Sequence, residues 1–488
     1  MIILQKEDEA YIRIDTNDQS VLKEMVERFS FLSPGYHMDW RFKNHTWNGR
    51  KCVFNSYKRR FPIGLLPKLT TWLDESGYEY KVVGNFNAQE FSEYEAKQFI
   101  RTLNLPFEVR DYQLRYFIKA VRNRRAVLLS PTSSGKSLLI YLMFRYFNTK
   151  TLLIVPTVGL VTQMFKDFKS YGYELPEDSI HMIYAGKEKP TQKQMTISTW
   201  QSIVNQDAKF FEDFGLVIGD EAHGFQANSL MSIMTKLKNT PIRIGLTGTL
   251  SGNDYDDHIV EGLFGPVTRY ITTRDMIDQG YASNILIKCI VLDHVNCKYK
   301  DLYLDTSVDY REEIEYLILN EKRNRYIRNL ALSLKGNTFV MFKFIAHGKE
   351  IYEQIKKKAD CPVYYVDGQT SAEERESIRL AVESCEKSIT VASVVFATGI
   401  NITSINNIIF TSPSKKRIKI LQSIGRGLRL GKFKCHMELF DIADDLVTTH
   451  NNTTMKHFKE RVKLYKDEQF DFKFYKVDLK NEQTQYNN

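Results

Sequence analysis

The stretch that most constrains the fold is a loop of small and polar residues, Ser130 to Ser137, that ends in Gly-Lys-Ser. An apolar run of strand character, 125–129, precedes it, and an apolar run of helical length, 138–147, follows it. Small residues let backbone N–H groups turn toward a ligand, and the first turn of a helix adds partial positive charge. The pattern therefore predicts a phosphate-binding loop between a buried strand and a helix.

Each part of this loop has an expected task. Lys136 would reach the β- and γ-phosphates of a nucleotide, and the Ser137 hydroxyl would hold Mg²⁺. The residues whose backbone would surround the phosphates are Thr132, Ser133, Ser134 and Gly135. Ser130 stands where the usual pattern has its first glycine. Taken alone, the motif leaves open a simpler interpretation, a polar turn between a strand and a helix.

A second polar cluster, Asp220-Glu221-Ala222-His223, closely follows the apolar run 216–218. In open parallel sheets, ligands bind at the carboxyl ends of the strands. Asp220 would hold the Mg²⁺ that bridges the β- and γ-phosphates, and Glu221 would orient and deprotonate the attacking water. The alternative for the isolated tetrapeptide is a helix start, with the aspartate as N-cap.

Strands and helices alternate twice along the chain, which predicts two successive parallel sheets. The strand candidates expected between residues 88 and 280 are Val127–Leu129, Thr151–Val155, Met195–Ser198, Gly215–Ile218 and Ile242–Leu246. Those expected between 281 and 450 are Thr338–Phe342, Val363–Val366, Ile389–Ala392, Asn407–Phe410 and Met437–Asp441. The less regular stretch 274–304 is expected to link the two units. Residues 1–87 predict a small α+β domain, and 451–488 a C-terminal helix and tail.

Residues 40–72 contain no Asp or Glu and interleave Lys and Arg with aromatic residues. Cations neutralise phosphates, and aromatic faces stack on exposed bases. The stretch is therefore a candidate nucleic-acid surface, with Arg50, Arg59 and Arg60 as expected contacts. The alternative is that the aromatic residues form the core of a small sheet while the charges face water.

The length of 488 residues predicts two to four domains, and the net charge of +9 is modest. Six cysteines without C-x-x-C spacing argue against a zinc site and a disulfide framework. No apolar run approaches the roughly 18 residues of a membrane span, and the charged N-terminus does not resemble a signal peptide. We expect a soluble cytoplasmic protein without membrane contact.

Further motifs resemble those of superfamily 2 helicases and occur in the order of that family. Arg110-Asp111-Tyr112-Gln113 resembles the adenine-recognition motif, with Gln113 reading the base edge and Arg110 or Tyr112 packing nearby. Leu246–Thr249 resembles the motif that couples the ATP site to nucleic acid. Two more segments resemble motifs that grip a nucleic-acid backbone, and their implied contacts are Pro156, Thr157, Gln163, Thr199, Trp200 and Gln201.

The second sheet unit carries the later motifs of the same family. The run from Gln422 to Arg429 resembles the sixth motif, in which Arg426 and Arg429 would reach the γ-phosphate as arginine fingers. Asn401 replaces an aspartate that is common in the fifth motif. The resemblance also implies ATP contacts at Gly399 and Gln422. It implies nucleic-acid contacts at Lys343, His347 and Thr398, where a structural role for the histidine is the alternative.

Nearly the whole chain resembles the UvsW type of phage superfamily 2 DNA helicases, including the N-terminal run from Trp47 to Arg50. The resemblance implies an α/β fold of two tandem RecA-like parallel-sheet lobes with a small N-terminal α+β domain. It implies ATP and Mg²⁺ as cofactors and branched DNA as the substrate. The implied activities are Holliday-junction branch migration, fork regression and R-loop unwinding in phage recombination and replication. Recombination or single-strand-binding proteins are the implied partners, in the cytoplasm of the host.

Three other functions stay open at this point. An RNA helicase shares the DEAH spelling, although the N-terminal unit and the lack of auxiliary RNA-binding domains argue against it. A duplex translocase, such as a restriction motor subunit, moves without separating strands, and its nuclease or methylase would lie on another chain. An ATP-gated DNA clamp needs no turnover, and the full set of hydrolytic residues argues against that function.

Overall fold

The computed structural model of the chain contains two compact units, Met1–Ile271 and Thr272–Asn488. It describes residues 1–86, 88–172, 180–183, 193–294, 310–393, 404–412, 417–428, 436–446, 452–479 and 484–485. Each unit has its own large parallel sheet, and the first unit also has a small mixed sheet. The predicted α/β fold, two parallel-sheet lobes with a small N-terminal α+β region, is confirmed. Within the described residues no helix is long and apolar enough to cross a membrane.

The N-terminal region forms the small mixed sheet and a separate two-stranded ribbon. Its elements are β1 (Ile2–Lys6), β2 (Tyr11–Asp15), α1 (Gln19–Arg28), β3 (Ser30–Leu32), α2 (Trp40–Lys43), β4 (Arg50–Cys52), β5 (Arg60–Pro62), α3 (Leu66–Glu75) and β6 (Tyr80–Val83). In the sheet order β5-β2-β1-β6, β1 runs antiparallel to β2 and parallel to β6. Strands β3 and β4 pair antiparallel to form the ribbon.

The aromatic residues of 40–72 divide between the core and the surface. Phe54, Phe61 and Trp72 lie in the core beneath the small sheet. Trp40 and Tyr57 are instead exposed. The alternative interpretation is therefore confirmed for the aromatic side chains that build the sheet, and the nucleic-acid surface stays a prediction for the exposed ones.

The parallel sheet of the first unit places the predicted motifs along one edge. Its elements are α4 (Glu93–Thr102), α5 (Asp111–Asn123), β7 (Arg125–Leu129), α6 (Lys136–Phe147), β8 (Thr151–Val155), α7 (Val158–Ser170), β9 (Ile180–Ile183), β10 (Met195–Thr199), α8 (Trp200–Ile203), α9 (Ala208–Phe211), β11 (Leu216–Asp220), α10 (Asn228–Lys236), β12 (Ile242–Thr247), α11 (Asp254–Phe264) and β13 (Val267–Thr268). The strand order is β13-β7-β12-β11-β8-β10-β9, and every pair is parallel. The five predicted strands are present, and β9 and β13 add to them.

Helix α11 packs against the N-terminal region within the first unit. A Cβ at Gly64 would lie 2.1 Å from the carbonyl oxygen of Glu261, so only glycine permits this approach. Lys68 Nζ lies 2.5 Å from the Glu261 carboxylate, and the Phe31 ring stacks on His258 with centroids 4.1 Å apart. The helix begins seven residues after Thr247, the end of β12, so one short loop separates the Thr-Gly-Thr motif from this contact.

The second unit has a larger sheet than the sequence predicts. Its elements are α12 (Thr273–Asp278), β14 (Asn284–Asp293), α13 (Tyr310–Leu319), α14 (Glu321–Ser333), β15 (Asn337–Phe342), α15 (Ile345–Lys356), β16 (Val363–Val366), α16 (Ala372–Ser384), β17 (Ser388–Ser393), β18 (Asn407–Phe410), α17 (Arg417–Gly427), β19 (His436–Asp445), α18 (Thr453–Asp467), β20 (Asp471–Asp478) and β21 (Thr484–Gln485). The order is β16-β17-β15-β18-β19-β14-β20-β21, and only β21 is antiparallel among these described strands.

The prediction that 274–304 is an irregular link is wrong for its described part. Strand β14 pairs along its whole length with β19 and over eight residues with β20. Every second side chain from Ile285 to Cys289 is buried, namely Ile285, Ile287 and Cys289. The predicted C-terminal helix is present as α18, and β20 is a strand that the sequence did not indicate. The boundaries of the four predicted domains remain predictions.

Candidate active site

The loop between β7 and α6 is held by hydrogen bonds among its own residues and by one hydrogen bond to β12. The Ser130 N–H donates to the carbonyl of Thr247 at 2.9 Å, which ties the loop to β12. The hydroxyls of Ser130 and Ser134 lie 2.6 Å apart, and Ser134 donates to the Pro131 carbonyl at 2.7 Å. The serine that replaces the usual first glycine thus contributes a buried hydroxyl to the loop. Ser133 adopts a positive φ of 69°, which turns the backbone at its centre.

The predicted adenine-recognition motif contacts this loop directly. The Gln113 side-chain amide donates to the Ser134 carbonyl at 2.8 Å, and its Oε1 accepts from the Arg110 N–H at 3.0 Å. The Tyr112 hydroxyl donates to the same carbonyl at 3.0 Å. A Cβ at Gly135 would lie 2.3 Å from Gln113 Nε2, and Gly135 also has a φ of 81°. The glycine is therefore needed both for the turn and for the approach of Gln113.

The two groups expected to meet phosphate and metal have partners within the protein. Lys136 Nζ donates to the carbonyls of Ser130 and Pro131, each at 3.3 Å. The Ser137 hydroxyl lies 2.7 Å from the hydroxyl of Tyr171, the residue that follows α7. Burial raises the pKa of Tyr171 to about 12, so this phenol is neutral at physiological pH. Both contacts must change or adapt when a nucleotide occupies the loop.

Asp220 and Glu221 lie at the carboxyl end of β11. Asp220 Oδ1 is buried and accepts no hydrogen bond from the residues that the structure describes. Burial, reinforced by the charge of Glu221 and opposed by Lys136, raises the pKa of Asp220 to about 7. Glu221 has a φ of 50°, an uncommon conformation for a non-glycine residue. The Asp220 carboxylate is thus costly to ionise without a cation.

His223 joins this strand end to the Thr-Gly-Thr motif. Its Nδ1 lies 3.3 Å from Glu221 Oε2 and 2.9 Å from the hydroxyl of Thr247. Thr247 in turn donates to the Thr249 carbonyl at 3.0 Å. These contacts link the residue expected to activate water to the motif expected to couple ATP to nucleic acid.

The donors at this edge fit Mg²⁺. Hard oxygen ligands, a hydroxyl at Ser137 and a carboxylate at Asp220, are the type that Mg²⁺ prefers, together with phosphate and water oxygens. The unpartnered buried oxygen of Asp220 is a group that a cation would stabilise. Over the described ranges no group of three His, Cys, Asp or Glu is placed to hold a metal.

The residues expected to grip nucleic acid in the first unit lie at neighbouring strand ends. Thr199 stands opposite Val155 in the β10–β8 register, so both gripping segments begin at the same edge. Thr199 is buried and its hydroxyl lies 3.0 Å from that of Ser202. Gln163 donates to Asp167 at 2.7 Å. The half-buried or exposed members of the set are Pro156, Thr157, Gln163, Trp200 and Gln201.

The predicted N-terminal contacts are partly engaged in the fold. Arg60 forms a two-pronged ion pair with Glu7, and this hydrogen bonding raises the pKa of Arg60. Arg59 donates to the Thr16 carbonyl at 3.2 Å, and Arg50 to the Ser30 carbonyl at 2.7 Å. Arg50 is nevertheless exposed, whereas Arg59 and Arg60 are half-buried.

The two predicted nucleic-acid contacts that the structure describes in the second unit differ in exposure. Lys343 is exposed, with its Nζ 4.9 Å from the centre of the Phe344 ring. His347 is only 2% exposed, and its Nε2 lies 3.0 Å from Asn324 Oδ1. Burial, aided by the charge of Arg323, lowers the pKa of His347 to about 3. This placement favours the structural role of the histidine and offers no surface for a DNA strand.

Several predicted residues fall outside what the structure describes. Thr398, Gly399 and Arg429 lie outside the described residues. Gln422 and Arg426 belong to α17, but their side chains also lie outside the description. Conversely, sequence reasoning missed the contact of Tyr171 with Ser137, because no motif marks Tyr171 and only the packing of α7 brings it there.

Comparisons with known proteins cover the whole chain. Family models match for the type III restriction enzyme res subunit at 106–252, the helicase conserved C-terminal domain at 321–431, and the DNA helicase UvsW N-terminal region at 2–83. The chain is 32% identical to the ATP-dependent DNA helicase UvsW of Enterobacteria phage T4, over 97% of this chain and 98% of that protein. It is 24% identical to the DNA 3'-5' translocase XPB2 of Sulfurisphaera tokodaii, over 73% of this chain and 89% of that protein.

Solved structures agree with these relatives. The crystal structure of T4 UvsW matches with a TM-score of 0.51 and 30% identity, over 98% of this chain and 99% of that one. An HsdR restriction subunit fragment from Vibrio vulnificus matches with a TM-score of 0.57 and 16% identity, over 79% of this chain and 72% of that one, which shows a shared fold alone. From the whole-length match, the chain belongs to the UvsW family of ATP-dependent DNA helicases.

Proposed function

We propose that this helicase is a DEAH-box motor that remodels branched DNA, by Holliday-junction branch migration, fork regression and R-loop unwinding, in phage recombination and replication. The observation that carries the proposal is the UvsW-type N-terminal region, which packs on α11 one short loop after the Thr-Gly-Thr motif. An ATP-driven change at that motif would be transmitted directly to a domain that can hold duplex DNA.

The hydrolytic roles are assigned to residues at the carboxyl edge of the first sheet. Lys136 would bind the β- and γ-phosphates after leaving the loop carbonyls that hold it now. Ser137 and Asp220 would hold Mg²⁺, which supplies positive charge against the phosphates. Glu221 would orient and deprotonate the attacking water, and its contact with His223 would hold it near Thr247.

Seven further residues complete the proposed ATP site. Arg426 and Arg429 would act as arginine fingers, so that hydrolysis depends on their arrival at the γ-phosphate. Gly399 and Gln422 would contact the nucleotide, as the resemblance implies. Gln113 would read the adenine edge, with Arg110 or Tyr112 packing nearby, and its amide also binds the Ser134 carbonyl of the phosphate loop.

The proposed DNA path uses contacts that grip phosphates without reading sequence. A single strand would pass the ends of β8 and β10, and the exposed Lys343 would contribute charge in the second lobe. The proposed domains are 1–87 for branched-DNA binding, 88–280 and 281–450 for the two lobes, and 451–488 for the C-terminal segment. Recombination or single-strand-binding proteins are the proposed partners, and host cytoplasm the proposed location.

The proposal is tested by ATP hydrolysis in the presence of single-stranded DNA, duplex DNA, a four-way junction and matched RNA, with product gels in parallel. We expect the junction to stimulate hydrolysis strongly, and branch migration to convert it into strand-exchanged products. Stimulation by RNA alone would identify an RNA helicase, and stimulation by plain duplex without product would identify a translocase. DNA binding without turnover would identify a clamp.

A further inference from the structure

The most exposed large hydrophobic side chain among the described residues is Tyr57, at 94% exposure. It stands at the tip of a short hairpin, the turn 56–59 closed by the Asn55–Arg60 bridge, on the segment that runs from β4 into β5. An aromatic ring so exposed contributes no burial to the fold, and Tyr and Trp are the residues most enriched where proteins meet ligands. The ring is therefore a candidate for contact with another molecule.

The hairpin holds this tyrosine in a defined position. Asn55 and Arg60 exchange both backbone hydrogen bonds, at 2.9 and 3.0 Å, and the Asn55 side chain accepts from the Lys58 N–H at 3.0 Å. At the base of the hairpin, Phe54 and Phe61 are buried in the core. A ring presented from a rigid turn loses little conformational freedom on contact, so the contact can be strong.

The charge around the tip suits a polyanion. Residues 40–72 have no carboxylate side chain. Lys58, next to the tyrosine, and Lys51, on β4, are exposed, while Arg60 is neutralised by Glu7. Exposed lysines beside an exposed aromatic ring are the combination that binds a nucleic-acid backbone and stacks on a base. An apolar protein partner would not require these cations.

A groove of about 530 Å³ opens beside the tip, between the hairpin and the helices α10 and α11. Its lining includes the aromatic rings of Tyr11 and Tyr255, the cation Lys58, and Arg60, whose charge is paired with Glu7. This volume lies within the usual range of small-molecule clefts. The groove therefore offers space and aromatic surfaces for a nucleotide next to the exposed ring.

We propose that Tyr57 stacks on a base at the branch point of DNA, where Lys58 binds the neighbouring phosphate and the groove receives the first unpaired nucleotide. This inference rests on the proposed function and adds to it a specific residue that holds the branch open. Stacking tolerates any base, because every base has an aromatic face. The site therefore recognises the presence of an unpaired end and not a sequence.

The test uses the full chain and a synthetic four-way junction with 5-iododeoxyuridine at the branch. We expect ultraviolet light to cross-link this base to a peptide that contains Tyr57. Tyr57→Ala should remove that cross-link and weaken junction binding by about tenfold, the scale of one lost base stack. Tyr57→Phe should retain the binding, because the ring and not the hydroxyl makes the contact.

The matched control is Tyr94→Ala, which removes another tyrosine, 71% exposed on α4 beside Glu93 and Glu95. We expect this variant to bind the junction as the wild type does, and thermal melting to verify the fold of all three variants. If Tyr57→Ala binds and migrates junctions like the wild type, the stacking role is overturned while the proposed function stands. If the wild-type protein neither prefers nor migrates junctions, the proposed function fails, and the inference with it.

Discussion

Two buried carboxylates on parallel strands, one in each unit, have opposite surroundings. Asp220 ends β11 with one buried oxygen that accepts no bond from the described residues, and its pKa is raised to about 7. Asp441, on β19, is fully buried, and both its oxygens accept hydrogen bonds of 2.8 Å. Oδ1 accepts from Arg461 Nη2, and Oδ2 accepts from Arg461 Nε and from the Tyr465 hydroxyl. Among the described residues the first carboxylate has no directly paired cation, although the charge of Lys136 acts on it, whereas the second is paired with Arg461.

Asp444, three residues further along β19, is paired with an arginine as Asp441 is, although its Oδ2 is buried and accepts no hydrogen bond from the described residues. Although burial opposes the shift, Arg323 and His294 hold the pKa of Asp444 well below its usual range. Their nitrogens lie 2.8 and 2.9 Å from Asp444 Oδ1. Burial of an acid is therefore not by itself a sign of function. The informative feature is that Asp220, at the carboxyl end of its strand, has an unpartnered oxygen and no paired arginine among the described residues, whereas Asp444 has one unpartnered oxygen but is paired with Arg323.

The largest expected effect is the loss of ATP turnover when Asp220 is substituted. Asp220→Asn should lower ATP turnover by about 100-fold or more, since it removes a charged group from the reaction site. It should leave the free energy of unfolding unchanged or higher, because it also removes a buried charge without a partner. Steady-state ATP hydrolysis and denaturant unfolding measure the two effects. Glu221→Gln and Lys136→Ala should likewise stop turnover while DNA binding persists, and DNA-stimulated turnover in any of the three variants would break the comparison.

The second-largest expected effect is the loss of stability when Asp441 is substituted. Asp441→Asn should lower the free energy of unfolding by about 3–5 kcal/mol, because it leaves the buried Arg461 guanidinium without its anion. Asp441→Leu combined with Arg461→Met should recover most of this loss, since an apolar pair needs no counter-ion. Denaturant unfolding of the single and double variants provides the measurement. Asp360→Asn, which changes an exposed acid paired with Lys387, is the matched control and should leave unfolding unchanged.

A smaller effect concerns pH and the buried His347. Its pKa is about 3 in the folded protein and 6.5 ordinarily, so between these values the unfolded chain binds a proton that the folded chain does not. Stability should therefore fall as the pH decreases below about 6.5, by about 2 kcal/mol at pH 5. His347→Gln should lack this component, which the difference in unfolding free energy between pH 7.5 and pH 5 measures. Equal pH dependence in both proteins would mean that the ring is accessible to protons, and hence available to DNA.

The smallest effect concerns the hydroxyl pair of Ser137 and Tyr171. Tyr171→Phe removes one hydrogen bond worth about 1 kcal/mol, and it frees the serine for the metal. We expect Mg²⁺–nucleotide affinity, measured with a fluorescent ATP analogue, to rise by up to about fivefold. Tyr141→Phe, at a neighbouring ring, is the control and should not change this affinity. A weaker affinity in Tyr171→Phe would indicate that the tyrosine orients the serine for the metal instead.

Local patterns predicted the strands and the helix that bring the expected ATP-site motifs to one end of the first sheet. A strand followed by Gly-Lys-Ser and a helix, and an acidic pair after an apolar strand, depend on neighbours within a few residues. Because parallel strands end at a common edge, the register that sets Asp220 opposite Leu246 and Thr247 opposite Leu129 brings these motifs together. The partners of exposed and charged residues were less predictable, as Arg60 shows by pairing with Glu7, 53 positions away.

The sequence by itself determined the family, the α/β alternation and the phosphate loop, because each rests on short-range spacing that any such fold must satisfy. Only the tertiary structure decided that 284–293 is a strand between β19 and β20, since its partner residues lie 152 positions (Asn284 and His436) and 185 positions (Leu286 and Asp471) further along the chain. It also decided that His347 is buried while Tyr57 projects into solvent. Burial and pairing depend on which distant segments meet, and a linear pattern does not contain that information.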